Sequence, residues 1–457
     1  MNIYIHLEIT SRELDSKLLL AVLAASKGHK VVVSSLGEIT NGLEMGALNP
    51  GIIHTKSLTP GKIKVARHQK FIDSGFKITS IDEEHGLNYD GYETMAITRY
   101  SDKTIAQSSA VFAWGVEDSD TLKKIYHLNS QKIHMTGSPR VDLWKPFISD
   151  YWINPKGMPS KPFLLVSSNL QHLDITTLYE EYKSMKSSGY FQRDPKQLKA
   201  LFYNQADGFK LLFEFIEAIE YLAKNNNGYD IVLRPHPTEN VKDWENYLDG
   251  IPNVHVIRQD AITGWIKNSF AIMHNGCTSA IEATISKKPV LTYNPLGLAH
   301  KENLPNRLGY KINSKEELLK KTNELFNFDR ESNQRIMDVK IPEQLSKKLF
   351  IEESELAAEK ILKTWESLDD GTLSHSNNWF KFNLICKILN FKRKIYNILV
   401  KLAPNKFKPD KASLKFPSLD SKDISLRINR FQNLLGIKEN LQCKLISEKT
   451  ILIQRNK

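Results

Sequence analysis

The stretch Asn2–Leu36, "NIYIHLEITSRELDSKLLLAVLAASKGHKVVVSSL", changes periodicity twice. It opens on a short apolar run, as in a buried strand. From Ser11 the apolar residues Leu14, Leu18, Leu19, Val22 and Leu23 recur at helical spacing up to Gly28, and "KVVVSS" then reads as a second strand. Strand, helix, strand is a βαβ unit, and a βαβ unit predicts a parallel sheet. "GIIHTKS", "FKITSIDEE", "AVFAWG" and "KIHMTGSP" continue the pattern as strand ends that pass into small or polar residues. Together they predict a first α/β domain over residues 1–150. "YWINPKGMPSKP" has the proline and glycine content of a linker.

A second α/β domain is predicted over 151–370. Its strands are "PFLLVSSN", "YDIVLRPHP", "VHVIRQ", "FAIMHNG" and "KPVLTYNP", separated by helical patterns such as "DGFKLLFEFIEAIEYLAKN" and "CTSAIEATISKK". The polar stretch from Leu170 to Gln205 reads as an insertion or loop. Ligands of open α/β sheets bind outside the carboxyl ends of the strands. Two such domains therefore imply a central cleft with loops from both.

At 457 residues the chain exceeds one hydrophobic core, and 41% apolar with 25% charged residues is a globular composition. The charge is unevenly placed. Residues 371–457 hold 18 Lys or Arg against 5 Asp or Glu, a net of +13, while the whole chain is +11, which leaves −2 over residues 1–370. Cys277, Cys386 and Cys443 are too few and scattered for a disulfide framework or zinc site. No apolar run reaches about 18 residues, and "MNIYIHLEI" lacks the features of a signal peptide. A cytoplasmic protein is expected. Within the tail, "WFKFNLICKILNFKRKIYNILVKL" mixes bulky apolar and basic residues through several helical turns. It reads equally as an interfacial helix for an anionic membrane, on the inner face of the cytoplasmic membrane, or as a helix packed on the body with a solvated basic face. Nucleic acid is not an expected partner, since no nucleic-acid module is recognisable.

Four clusters fall at predicted strand ends. "SIDEEHG" sets Asp82, Glu83 and Glu84 before His85, where a carboxylate can act as base or nucleophile, or merely form an acidic loop. In "RPHP", Arg234 and His236 each precede a proline, so the chain stays extended past the strand. Both side chains are candidates for a phosphate, with Pro237 fixing the turn. "HNGCTSAIEA" runs from a strand through Asn275 and Gly276 into a helix, with Thr278 and Ser279 as phosphate-binding hydroxyls and Glu282 as a ribose ligand or helix cap. "TGSPRVDLW", with Ser138 and Arg140, is a hinge or a cleft wall. Arg12, Asp15 and Lys56 are further acceptor-side candidates. Walker, dinucleotide and nucleophile-elbow motifs are missing.

Taken in order, "SRELDSKLLLAVLAASKGHKVVV", "HTKS", "DEE", "FAWG", "TGSPRVDL" and "RPHP…HNGCTSAIEA" resemble the bacterial surface carbohydrate biosynthesis family over about residues 1–330. The resemblance implies a GT-B glycosyltransferase: two Rossmann-like domains facing a central cleft, here with a basic, mainly helical C-terminal extension. It also implies similarity to enzymes that use CMP-sugars, such as Kdo transferases and bacterial sialyltransferases. On that likeness Glu83 or Glu84 matches the acidic catalytic position, His236 and Pro237 the His-Pro pair, and Thr278 and Ser279 the phosphate site. His85 stands where those families often have glycine, which leaves the choice between the two glutamates open. The implied donor is a CMP-activated ulosonic acid (Kdo, or a nonulosonic acid such as pseudaminic or legionaminic), the acceptor a glycan or lipid-linked glycan. No cofactor and no metal are expected, because one phosphodiester can be neutralised by Arg234, His236 and helix amides. Alternatives of related fold are a CDP-glycerol-type glycerophosphotransferase and a UDP-GlcNAc 2-epimerase. A third is a non-catalytic scaffold at the membrane.

Overall fold

A computed structural model describes residues 1–84, 87, 91–170, 175–298, 303–331, 339–403, 406 and 415–456. The chain forms two compact units, one from Met1–Leu87, Gly91–Tyr151 and Glu343–Lys457, the other chiefly from Trp152–Pro342.

The first unit is built on an eight-stranded sheet. In chain order its strands are β1 (Asn2–His6), β2 (Lys30–Ser34), β3 (Ile52–Thr55), β4 (Lys77–Ile81), β5 (Ala110–Ala113), β6 (Ile133–Met135), β13 (Leu441–Ser447) and β14 (Thr450–Arg455). They lie in the order β13-β14-β2-β1-β3-β4-β5-β6. The strands from β2 to β6 are parallel, as the opening βαβ pattern predicts, and β1 pairs β2 from Asn2 opposite Lys30 to His6 opposite Ser34. The long helix Thr10–Ser26 buries Leu14, Leu18, Leu19 and Val22. Because β2 lies on one side of β1 and β3 on the other, chain direction reverses between β1 and β3, the switch point at which ligands of such sheets gather.

The second unit carries a six-stranded parallel sheet of β7 (Phe163–Ser167), β8 (Asp230–Arg234), β9 (Val254–Val256), β10 (Ala271–His274), β11 (Val290–Tyr293) and β12 (Tyr310–Ile312). The order is β12-β11-β10-β7-β8-β9, so its switch point lies between β7 and β10. Its four inner strands, β7, β8, β10 and β11, are buried along their whole length, as expected for a sheet covered on both faces. Residues Lys196–Asn225 form one continuous helix, so the end of the stretch read as an insertion is part of a regular element.

The C-terminal third departs from the expected boundaries. Residues 343–370 were assigned to the second domain, yet they return to the first unit. Asp142 caps the helix Ala357–Ser367 by accepting from the Ala357 and Ala358 amides at 3.0 Å each, and Trp365 Nε1 donates to Thr79 Oγ1 at 3.0 Å. The Phe350 amide reaches the Trp114 carbonyl at 2.7 Å. This explains "TGSPRVDL": at Gly137 (φ +84°) a Cβ would lie 2.8 Å from Phe350 Cβ, so the turn is a platform for the returning chain. The basic extension is helical at Trp379–Leu402 and Ser421–Leu434, but it ends in a hairpin that completes the first sheet. β14 runs antiparallel to β2, placing Ile451 beside Val33 and Ile453 beside Val31. Unpaired, β2 would present an apolar edge open to aggregation. The tail is thus structural for the first unit. Ile453 is fully buried, so Ile453→Ala should cost about 2–5 kcal/mol in a urea unfolding curve. Truncation after Gly371 should yield insoluble or markedly destabilised protein.

Candidate functional site

In the first unit, charged groups gather at the carboxyl edge of the sheet around one buried ammonium. Glu13 and Lys17 stand one turn apart on the helix Thr10–Ser26, and both are buried. Lys17 Nζ donates to Glu13 Oε2 at 2.9 Å and to the His6 carbonyl that ends β1, and lies 3.6 Å from Glu83 Oε1. Burial pushes the Glu83 carboxyl above its usual range, and the Glu13 charge adds to this against the attraction of Lys17. Glu13 goes the other way. Burial raises it, but the Lys17 charge and hydrogen bond, the Glu8 amide and Arg12 outweigh that and hold it well below the carboxylate range. Among the described residues Glu83 Oε2 is buried without a hydrogen-bond partner.

Glu84 differs from its neighbour. It is part-exposed and pairs with Arg12 at 3.2 Å and Lys56 at 3.7 Å. Burial alone would raise its pKa, but Arg12 and then Lys56 and Arg99 bring it below the ordinary value. Lys56, just past β3 at the switch point, also pairs with Glu8 at 2.8 Å. Arg140 donates to the Glu83 carbonyl at 3.1 Å and lies over Trp114, 5.4 Å from the ring centroid. The structure therefore brings Arg12, Lys56, Glu83, Glu84 and Arg140 together. His85 and Gly86 lie outside the described residues.

Three candidates of this unit are structural. Asp82 is buried, accepts from Arg99 Nε at 2.6 Å and from the Glu84 amide at 2.8 Å, and so shapes the acidic turn. Ser138 caps the short helix Pro139–Asp142, its Oγ accepting from the Arg140 amide. Asp15 pairs with Arg427 at 2.5 Å and accepts from the Tyr151 hydroxyl, tying the tail helix Ser421–Leu434 to the body.

In the second unit, the loops after β7, β8 and β10 are laced together. The His236 amide donates to Ser168 Oγ at 3.3 Å, and Ser168 Oγ donates to Glu239 Oε2 at 2.5 Å. Glu239 is a buried carboxylate that also accepts from Trp244 Nε1 and the Leu170 amide, so it locks the turn that carries His236. The Thr238 amide donates to His236 Nδ1 at 3.3 Å. The neutral ring consequently carries its proton on Nε2, where it is a donor. Arg258 clamps the same turn through the Pro237 and Glu239 carbonyls.

Across β7, about 10 Å away at normal strand spacing, sits Gly276 with φ +69°. Its amide donates to Asn306 Oδ1 at 2.6 Å and its carbonyl accepts from Asn169 Nδ2 at 3.0 Å. Glycine is needed there for the left-handed turn, whereas a Cβ would meet Asn303 Nδ2 only at an ordinary contact distance of 3.4 Å. Asn275 is buried, its Nδ2 donating to the Tyr293 carbonyl, while its Oδ1 has no partner among the described residues. Thr278 is exposed and makes no side-chain capping bond.

Two phosphate candidates are engaged elsewhere. Arg234 is buried, donates to the Gln259 and Asp260 carbonyls and lies over Trp265, 5.5 Å from the ring centroid. Burial, the largest cause, brings its pKa down to about 10. Its guanidinium holds the loop after β9. Ser279 is buried and donates to Ser167 Oγ at 3.0 Å, fastening its helix to β7, so of the two expected hydroxyls only Thr278 faces outward. Glu282 accepts from Thr263 Oγ1 at 3.0 Å, which braces two helices. Among the described residues no group of three or more His, Cys, Asp or Glu is placed to hold a metal ion.

No protein-family model matches the chain, and no curated protein matches it. Among solved structures, it is similar to a protein of Listeria monocytogenes described as a UDP-N-acetylglucosamine 2-epimerase, at 14% identity and TM-score 0.48 over 80% of this chain and 96% of that one. It is similar to the UDP-GlcNAc 2-epimerase of Neisseria meningitidis bound to UDP-GlcNAc, at 14% and 0.44 over 80% and 100%. It is also similar to a glycosyltransferase of Rickettsia africae, at 12% and 0.43 over 82% and 99%. At such identities and TM-scores below 0.5, these likenesses carry no argument about activity.

Lys17 is the group on which the first edge depends. Lys17→Met should remove the ammonium shared by two buried carboxylates, leaving Glu13 only Arg12 as a paired cation among the described residues, and cost about 3–5 kcal/mol by chemical denaturation. Adding Glu13→Gln in the same chain should recover part of that loss, because one of the stranded charges is gone.

Proposed function

We propose that the protein is a glycosyltransferase that moves a 3-deoxy-ulosonic sugar from a CMP donor onto a surface glycan or its lipid-linked precursor. The observation that carries this reading is Glu83: a carboxylate at the carboxyl edge of a parallel sheet, raised in pKa by burial, with an oxygen that no described residue occupies. A base is most effective when its pKa lies near the operating pH. Glu84, lowered by Arg12 and Lys56, is the weaker base and the better electrostatic partner for an incoming acceptor.

In this reading Glu83 takes the proton from the acceptor hydroxyl as its oxygen bonds to the anomeric carbon. The bond from that carbon to the CMP phosphate oxygen breaks, its electron pair leaves with CMP as the phosphate dianion, and the His236 Nε2–H stabilises that charge by a hydrogen bond. The second edge offers the His236 imidazole and the exposed Thr278 hydroxyl. Such a set suits the single charge of one phosphodiester better than a diphosphate. Engagement of Arg234 by carbonyls makes this contrast sharper than the sequence implied.

The test is CMP release from CMP-Kdo and CMP-nonulosonates. Glu83→Gln and His236→Ala should each lower the rate by about 10²–10⁴-fold, with Glu84→Gln retaining more activity than Glu83→Gln. Because Glu83 must be ionised to act, kcat/KM should fall as pH drops through a pKa above the ordinary glutamate value. That acid limb should persist in Glu84→Gln. If Glu83→Gln and His236→Ala both transfer at the wild-type rate, the assignment is wrong.

A further inference from the structure

The helix Trp379–Leu402 holds six Lys or Arg and no Asp or Glu. It packs on the first unit through Phe382, Ile385 and Cys386, which are buried with Tyr4, Ile39, Leu43 and Phe76. At its start the chain meets the amino edge of the sheet: Asn377 Oδ1 accepts from the Tyr4 hydroxyl and the Asn49 amide, and the Asn378 amide donates to the Ala47 carbonyl. Further along, Arg393 points inward to Glu38 Oε1 at 3.1 Å. Glu38 in turn accepts from Ser34, Ser447 and Thr450 at the carboxyl end of β2. The helix therefore runs along the strands from their amino to their carboxyl edge, and its last turns follow that lock.

Its outer face is apolar. Phe380, Leu384, Ile388, Phe391, Ile395, Ile398 and Leu402 are between 42% and 84% exposed. Spaced four or three residues apart, they fall within a sector of about 80° on a helix of 3.6 residues per turn. Lys381 and Lys392 flank this stripe on one side, and Lys387, Lys394 and Lys401 on the other. The exposed aromatics of the helix Lys196–Asn225 make a useful contrast, because Asp207 and Glu214 are interleaved with Phe202, Phe209 and Phe213.

We infer that this face docks the protein on an anionic lipid bilayer, with the apolar stripe in the acyl boundary and the flanking lysines extended to headgroup phosphates. An apolar face rimmed on both sides by ammonium groups matches a negatively charged interface. Lysine stems are long enough to lie along apolar surface while the charge stays in water. A second copy of the same face would bring like charges together, which disfavours dimerisation through it. The inference does not depend on the transfer reading, since it uses no residue placed in the candidate site.

The experiment is co-sedimentation of the full chain with phosphatidylcholine vesicles, with and without about one third phosphatidylglycerol. The wild type should partition at least about tenfold more strongly onto the anionic vesicles. The triple variant Phe391→Glu, Ile395→Glu, Ile398→Glu should lose at least about tenfold of that binding with an unchanged melting temperature, because all three side chains already face solvent. A second variant, Lys387→Gln with Lys392→Gln and Lys401→Gln, should lose the preference for anionic over neutral vesicles. Wild type that stays in the supernatant overturns the inference, as does acidic-variant binding equal to wild type. A concentration-dependent dimer abolished by the acidic variant would also overturn it, by assigning the face to self-association.

Discussion

The buried ammonium of Lys17 is the interaction around which the first unit's carboxyl edge is arranged. Its Nζ ends β1 by taking the His6 carbonyl, neutralises Glu13 on its own helix and faces Glu83 from β4. A buried ion is tolerable only when its partners are complete; Glu13 has both Lys17 and Arg12, whereas Glu83 has, among the described residues, only Lys17 at 3.6 Å and is under-compensated. That imbalance is what separates Glu83 from Glu84. Burial together with the Lys17 charge also holds the nearby His54 down to about 3, and His6 is lowered by the same causes, so both rings stay neutral beneath the site. Burial first, and the one lysine second, thus govern the charge state of several groups along the edge.

The tail obeys a similar logic at the other end of the sheet. Glu38 is buried and gathers Arg393, Ser34, Ser447 and Thr450, which joins the opening βαβ unit to a hairpin more than four hundred residues later in the chain. Once β14 covers the β2 edge, the helix before it is held by its Phe382 and Ile385 face. Its opposite face then has no body surface left to cover it, and the charge around that stripe becomes meaningful. No helix among the described residues is long and apolar enough to cross a membrane.

The parallel sheets were legible because their signals are local. Residues 2–36 carry helical and strand periodicity in turn, and each later strand ends in the small or polar residues that mark a carboxyl edge. The acidic turn, the His236 turn and the Gly276 turn were found for that reason. What escaped depended on partners distant in sequence. Glu13 and Lys17 form an i,i+4 pair in line with the apolar residues of their helix, a pattern that signals a buried pair, yet nothing local names Glu83 as its third member. Glu239 and the amides of Asn169, Asn303 and Asn306 take their meaning only from loops brought side by side. For Arg234, the flanking proline correctly implied extended backbone, but alternation along a strand decides which way the side chain points. It points to Trp265 and the loop after β9. The closing hairpin was missed because the apolar run of β14, Ile451 to Ile453, is only three residues long and its partner β2 lies more than four hundred residues away in the chain.

If the second unit accepts a cytidine monophosphate leaving group, as proposed, ligand-dependent thermal unfolding is the most direct way to see it. A nucleotide that binds only the folded state must raise its apparent stability. CMP, CDP, UMP and UDP would be compared, each with and without Mg²⁺. The account predicts selective stabilisation by CMP in the absence of the metal. Preference for CDP or UDP, or no response to any of the four, would contradict it.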